Sequence, residues 1–427
     1  MDRSPHDLSN PPMLAPDPRR TQIPPPEPKL TPDEMLRRAR ELCPLLRARQ
    51  AECEALGRVP DDVTAELIRA GFFRIIQPRR FGGYEFDVPT FLRVMMEISR
   101  GCPETGWVVA LVSGHPLIVA HFPEQGQREV YGADGEFRCP AAFNPPGAAV
   151  PVEGGYRITG SWPSASGCDL GTHFLGSCMV QGAPTIIEMI VMRDQYRIID
   201  DWQVMGMRGT GSKRVVCEDA FVPARRTIEA IAAGRGAEPA VRVRVHENPM
   251  YWGRILPFLI GESAAASVGG ARGALDIYEE ILRSKKAYQP PYQERYKEAE
   301  FQQHYGQALA LIATAEAALV RVGQEFMEYA VEDAAGGAPF DEERAYRVIL
   351  IEDQCIALAW QAMDLIYKTV GTSHAAKDGQ MIGRTFRNLA VMNTHPALQL
   401  DRAAIMAART RFGLQPPIMP KSGPAEP

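Results

Sequence analysis

Two histidines and two glycine-rich turns are the parts of this 427-residue chain whose residue types and spacing can do chemistry. His115 stands in Ser113-Gly114-His115-Pro116 and His395 in Asn393-Thr394-His395-Pro396, each directly ahead of a proline. Imidazole titrates near neutrality, so either ring can take or hand on the proton of a weakly acidic hydroxyl such as a phenol. A histidine closing an apolar helix also fits a hydrogen-bonded core ring, and for His115 both readings stay open. The turns are Gly160-Ser161-Trp162-Pro163-Ser164-Ala165-Ser166-Gly167-Cys168-Asp169 and Met205-Gly206-Met207-Arg208-Gly209-Thr210-Gly211-Ser212. Both set small hydroxyls and exposed amides beside glycines, where a planar, polar-edged heterocycle can rest and be hydrogen bonded along its edge. Alone, each also reads as an ordinary turn between strands.

Other chemistries find no support. No GxGxxG joins a strand to a helix, so a Rossmann nicotinamide site is not signalled. GxxxxGK[ST], HExxH and GxSxG are absent as well. Gly269-Gly270-Ala271-Arg272-Gly273 falls inside a helical pattern and reads as close helix packing. His121 is not spaced to share a metal with His115. The eight cysteines are scattered singly with no CxxC pair, so free thiols are expected, with neither a disulfide framework nor a metal site. A net charge of −5 leaves no basic footprint for nucleic acid. No apolar run reaches the roughly eighteen residues of a membrane span, and no apolar segment follows the first charges. A soluble cytoplasmic protein with no nucleic-acid or membrane partner is expected.

These residues need elements to hold them. Residues 1–30 carry nine prolines and little apolar periodicity, which predicts a disordered tail. Thr31-Pro32-Asp33-Glu34 opens a first helix, and helices follow near 60–70, 88–100, 104–120 and 124–131. From 136 to about 222, glycine and proline punctuate short β-branched runs, which predicts an antiparallel barrel or sandwich. Long helical patterns return at 255–282, 298–332, 341–369 and 396–411 and predict an antiparallel bundle. The expected division is a tail (1–30), a helical domain (31–135), a β-barrel domain (136–235), a four-helix bundle (236–415) and a second tail (416–427).

Over roughly residues 31–415 the chain resembles the acyl-CoA dehydrogenase superfamily. Met205–Ser212 with its trailing Glu218-Asp219-Ala220-Phe221-Val222-Pro223 is similar to that superfamily's G-x-R-x-[ST]-x-[ST] turn and E-D-x-x-V-P. Leu275 and its helix, residues 301–318, and Gly383-Arg384-Thr385-Phe386-Arg387-Asn388 follow in the superfamily's order. The resemblance implies an α+β fold, with an N-terminal helical domain, a middle β-barrel and a C-terminal four-helix bundle, and flavin between barrel and bundle. The extra residue in Trp162–Cys168 and the form of Arg208–Ser212 point to the flavin monooxygenase branch of p-hydroxyphenylacetate and secosteroid phenol hydroxylases. There Ser166 matches the position at flavin N5, and His115 and His395 match pocket histidines. Trp162, Ser164, Gly167, Arg208, Thr210, Gly211, Ser212, Gly371, Ser373 and Arg387 match cofactor-binding positions. His173 and His374, beside the flavin-side segments, either touch a flavin phosphate or face water.

The branch implies reduced FMN or FAD reacting with O₂ through a C4a-hydroperoxide to hydroxylate a small aromatic substrate. Ser166 would sit near N5, His395 would deprotonate or orient a phenol, and His115 would bind its oxygen. The missing nicotinamide fold implies a separate NAD(P)H-dependent flavin reductase, and the bundle a homotetramer or, failing that, a dimer. Two rivals are an FAD-dependent acyl-CoA dehydrogenase using Glu262 and a non-catalytic helical scaffold. Glu262 is otherwise expected to be solvated or ion-paired.

Overall fold

The computed structural model describes residues 24–230 and 245–414, so most of both tails and the boundary near 235 lie outside the described residues. Thr31 caps the first helix, its hydroxyl accepting from the Glu34 amide, and Pro32 occupies the first turn. Residues just before it are not free: the Glu27 amide donates to the Tyr84 hydroxyl and its carboxylate pairs with Arg38. The tail expected to end at residue 30 is therefore docked by residue 27.

Seven helices form the first layer: α1 (Pro32–Ala48), α2 (Gln50–Leu56), α3 (Asp61–Ala70), α4 (Val88–Gly101), α5 (Pro103–Gly114), α6 (Pro116–Val119) and α7 (Glu124–Tyr131). The single helix expected over 104–120 breaks at His115. Pro116 has no N–H to continue the ladder, and its ring disfavours helix at the preceding residue. That break places His115 at the junction of α5 and α6.

Next come β1 (Ala141–Val152), β2 (Gly155–Ala165), β3 (His173–Val180), β4 (Ile186–Met192), β5 (Arg197–Ile199), β6 (Lys213–Pro223) and β7 (Thr227–Glu229), in one seven-stranded sheet. Its order is β5-β6-β2-β1-β3-β4-β7. One pairing departs from the all-antiparallel expectation, because β1 and β3 run parallel. The connection 166–172 after β2 carries the chain back beside β1 in β1's own direction, and that crossover holds the end of the first turn, Ser166–Asp169. Trp162 fills the sheet's own core: it is fully buried, and its indole N–H donates to the Ser177 carbonyl.

The C-terminal part comprises α8 (Ile255–Ser284), α9 (Ala299–Ala334), α10 (Glu342–Thr369), α11 (Thr372–Ala375), α12 (Met381–Met392) and α13 (Leu400–Arg411). Helix α8 lies at the centre and packs on α4, α5, α9, α10 and α12. Its glycines make that approach close. A Cβ on Gly269 would meet the Met96 carbonyl oxygen at 2.2 Å, and one on Gly273 the Arg100 carbonyl oxygen at 2.3 Å. The glycine run is thus a packing surface against α4. Helix α9 differs. By length and composition it is apolar enough to cross a membrane, although polar residues interrupt its apolar run, and only 33% of its most apolar window is buried.

Gly269→Ala is expected to push α4 and α8 apart and to cost about 1–3 kcal/mol of stability. Chemical denaturation that shows no loss would refute this account of the glycine run.

Candidate functional site

The second turn is held in a shape that few sequences tolerate. Met207 (φ 59°) and Gly211 (φ 53°) both adopt the left-handed conformation, which is costly for methionine. The cost is offset by bonds from four directions. The Met207 amide donates to Asn388 Oδ1 (2.7 Å) on α12, and its carbonyl accepts from Trp202 Nε1 (2.8 Å) and Thr210 Oγ1 (2.7 Å). The Gly209 amide donates to Glu104 Oε1 (2.8 Å) on α5. The Gly167 amide donates to the Thr210 carbonyl (2.8 Å), joining the first turn to the second. Cys53, Cys102 and Glu104 lie within 4.8 Å of one another beneath Gly209, a group that sequence spacing gives no sign of.

The joined turns line up four side chains. Trp107 Nε1 donates to Ser166 Oγ (3.1 Å). Ser166 Oγ lies 2.7 Å from Ser212 Oγ, which lies 2.6 Å from Thr210 Oγ1. All four residues are buried. On the other side of Trp107 stands His395, the two ring centroids 6.1 Å apart in an edge-on arrangement. Residues from α5, from β2 and its following turn, and from the α12–α13 connection thus meet at one point. Trp107 is the site residue that sequence reasoning missed. Its only signal is an indole N–H inside an otherwise apolar helix, which requires a buried acceptor.

The two histidines carry opposite hydrogen-bonding faces. His115 is buried, and its Nδ1 bonds the Cys139 carbonyl, which can only accept, so Nε2 keeps the lone pair. Burial lowers its pKa to about 4, and the ring is neutral at pH 7. His395 keeps an open edge to solvent while surrounding protein lowers its pKa by desolvation. The Ala397 amide donates to its Nδ1 (3.3 Å), which leaves the proton of the neutral ring on Nε2. Eight residues of helix separate Trp107 from His115, roughly 12 Å along α5. The structure therefore joins His395 to Ser166 through Trp107 and sets His115 further along the same helix.

The remaining expected residues divide. Ser164 (φ 62°) and Arg208 are exposed on the two turns. Arg387 is already engaged: its guanidinium donates to the Met205 carbonyl (2.9 Å) and pairs with Glu54, so it locks the turn. Gly371 and Ser373 lie at α11, where Arg295 bonds the adjacent Val370 carbonyl, with no bond to either turn among the described residues. Trp162 is corrected outright, because its side chain is sheet core. His173 is a buried ring bonded to Thr172, with a pKa pushed down to about 3 by burial, so it is a core residue. Glu262 overturns the expectation of a solvated or paired carboxylate. It is fully buried, neither oxygen has a hydrogen-bond partner, and burial holds its pKa well above the usual range. Its Oε2 lies where a side chain on Gly114 would begin.

A planar heterocycle fits this arrangement. Ser166 has accepting capacity left after Trp107, and exposed polar groups of both turns flank it. The comparisons agree. Residues 33–133 and 262–400 match the N-terminal and C-terminal domain models of acyl-CoA dehydrogenase. The chain is 33% identical over 390 residues to the oxygenase subunit HsaA of a flavin-dependent monooxygenase from Rhodococcus jostii, covering 89% of this chain and 98% of that one. It is 27% identical to the oxygenase component of an FADH(2)-dependent resorcinol hydroxylase from a Rhizobium species, covering 87% and 92%. Among solved structures it superposes on XiaF from Streptomyces in complex with FADH2 and glycerol, with a TM-score of 0.82, 25% identity and coverage of 91% and 97%.

Glu104 is nearly inaccessible, and burial raises its pKa to about 8. A carboxyl raised above its unfolded value of 4.5 stabilises the fold fully below that value and loses the contribution as pH rises towards 8. Glu104→Gln keeps the acceptor for Gly209 without the titration. Between about pH 5 and 8 the parent is expected to lose melting temperature relative to Glu104→Gln, and parallel melting curves would count against a buried neutral acid.

Proposed function

The chain belongs to the flavin-dependent monooxygenase branch of the acyl-CoA dehydrogenase superfamily, and from that premise we propose which residues carry its reaction. The protein is the oxygenase component of a two-component monooxygenase that uses reduced flavin and O₂ to hydroxylate an aromatic substrate, with its electrons supplied by a separate partner reductase. When bound, reduced flavin supplies the two electrons with which O₂ is split, one oxygen atom entering the ring and the other leaving as water.

The meeting of Trp107, Ser166 and His395 at one point carries the residue assignment. Ser166 would hold the flavin at its N5 edge, with Ser164, Gly167, Arg208, Thr210, Gly211 and Ser212 shaping the surrounding turns. Arg387 acts by fixing the second turn. Gly371 and Ser373 are assigned to the cofactor by resemblance alone. His115 Nε2 accepts the hydrogen bond of the phenolic hydroxyl. His395 Nε2–H, on the Trp107 side of the site, donates to the substrate and stabilises the negative charge that develops as the ring becomes electron-rich. Of the two roles expected for His395, deprotonating or orienting the phenol, this reading takes the second, because the Ala397 amide occupies the Nδ1 lone pair. The reductase is NAD(P)H-dependent, and both proteins work in the cytoplasm, where that nicotinamide is replenished. The division at 31–135, 136–235 and 236–415 is kept as the domain organisation. The apolar, largely uncovered side of α9, with Leu309 37% and Val331 49% exposed, packs against other copies in a homotetramer. A monomeric mass by light scattering at micromolar concentration would exclude that assembly.

The histidine roles are tested by product formation against peroxide release. His395→Ala is expected to lower hydroxylation roughly 10²- to 10³-fold, while His395→Gln, which still offers an N–H, stays within about tenfold of the parent. Glu262→Gln, which preserves shape, is expected to stay within a few-fold. An inactive Glu262→Gln beside an active His395→Ala would instead favour a carboxylate base and overturn the assignment.

A further inference from the structure

The hydroxyls beside Trp107 form a chain whose direction is fixed at both ends. An indole N–H only donates, so Ser166 Oγ must accept from Trp107. A carbonyl only accepts, so Thr210 must spend its single proton on the Met207 carbonyl. The Ser212–Thr210 contact at 2.6 Å is then donated by Ser212, and the Ser166–Ser212 contact at 2.7 Å by Ser166. Each hydroxyl has one proton, and each is used. The proton order runs from Trp107 through Ser166, Ser212 and Thr210 to the Met207 oxygen. Ser166 retains one lone pair and no proton for any further partner.

We propose that Ser212 and Thr210 are positioning residues that force Ser166 to present a lone pair, so that the site selects flavin in the redox state whose N5 carries a proton. The inference rests on the reading that flavin N5 lies at Ser166. Reduced flavin has an N5–H that donates to a lone pair. Oxidised flavin has a bare N5, which would face the Ser166 lone pair with no proton between them. In a buried site, the difference between a made hydrogen bond and an unsatisfied pair of acceptors corresponds to roughly 5- to 150-fold in affinity. Such selection serves an oxygenase component that draws reduced flavin from a pool and releases it once oxidised. Burial keeps the chain intact, since Thr210 and Ser212 are 1% and 3% exposed and water has little access to relax their direction.

The test is anaerobic titration of the full-length protein with oxidised and with reduced FMN and FAD, followed by tryptophan fluorescence and read as the ratio of the two dissociation constants. The parent is expected to bind the reduced form more tightly. Ser212→Ala removes the acceptor that holds the Ser166 proton. That hydroxyl can then turn to donate to a bare N5, and the preference for reduced flavin is expected to fall by about tenfold or more. Thr210→Val, nearly isosteric, should lower the ratio in the same way and serves if Ser212→Ala does not fold. Thr210→Ser keeps every bond and should restore the parental ratio. A purely structural role would weaken both redox forms together and leave the ratio unchanged. That result, with reduced flavin still bound, overturns the proposal and leaves the cofactor reading intact. A parent protein that binds neither form overturns the cofactor reading itself.

Discussion

The turn from Gly206 to Gly211 is the constraint on which the rest of the site depends. Its backbone is strained at Met207, and the bonds that hold it come from α5, α12, the preceding loop and the turn after β2. There is no space for a change at its glycines. A Cβ on Gly206 would strike the Arg387 carbonyl oxygen at 2.2 Å, and one on Gly209 the Cys53 sulfur at 2.4 Å. The turn is therefore where helical layer, sheet and bundle are registered against one another. A shift of any one of them would reach Ser166 through the Gly167–Thr210 bond.

Burial along α5 then decides which charges the site can carry. Histidine 115 is held neutral by desolvation, as is His173 in the neighbouring sheet, while Glu104 and Glu262 are held protonated for the same reason. A region of neutral groups repels neither an apolar ring nor dioxygen. It also strengthens each directed hydrogen bond, because little solvent competes or screens. The proton position on each group then matters more than its charge. Both histidines meet a backbone neighbour at Nδ1 and differ in whether that neighbour accepts or donates, and the hydroxyl chain differs from a random cluster in having donors and acceptors that fix its ends.

The same economy of space shapes the bundle. Helix α8 meets α4 through Gly269 and Gly273 and meets α12 through Gly270, while Gly114 on α5 gives way to the Glu262 carboxyl. Side chains removed at these crossings let backbone meet backbone between α8 and α4, and let the Leu389 and Glu262 side chains close onto helix backbone at Gly270 and Gly114, which ties the site's helix to the central one. Helix α9 lies outside this arrangement and keeps an apolar side open.

Local physics made much of this legible in the sequence. Proline and the Thr31 cap marked the first helix, apolar periodicity marked α4 and α8 to α10, and β-branched runs between glycines marked the sheet. The glycine-hydroxyl turns and the two proline-flanked histidines were visible as chemistry because residue type alone defines their donors and acceptors. Tertiary structure alone decided the rest. Trp107 and Ser166 are 59 residues apart, and Met207 and Asn388 are 181 apart. Nothing in either neighbourhood states that they bond. The burial of Glu262, the enclosure of Trp162 in the sheet, the parallel pairing of β1 with β3 and the Ala397 amide against His395 Nδ1 are settled by what lies opposite each group. Periodicity reports which face of an element is apolar. It does not report which distant donor or acceptor will meet that face, and the direction of a hydrogen bond exists only once both ends are in place.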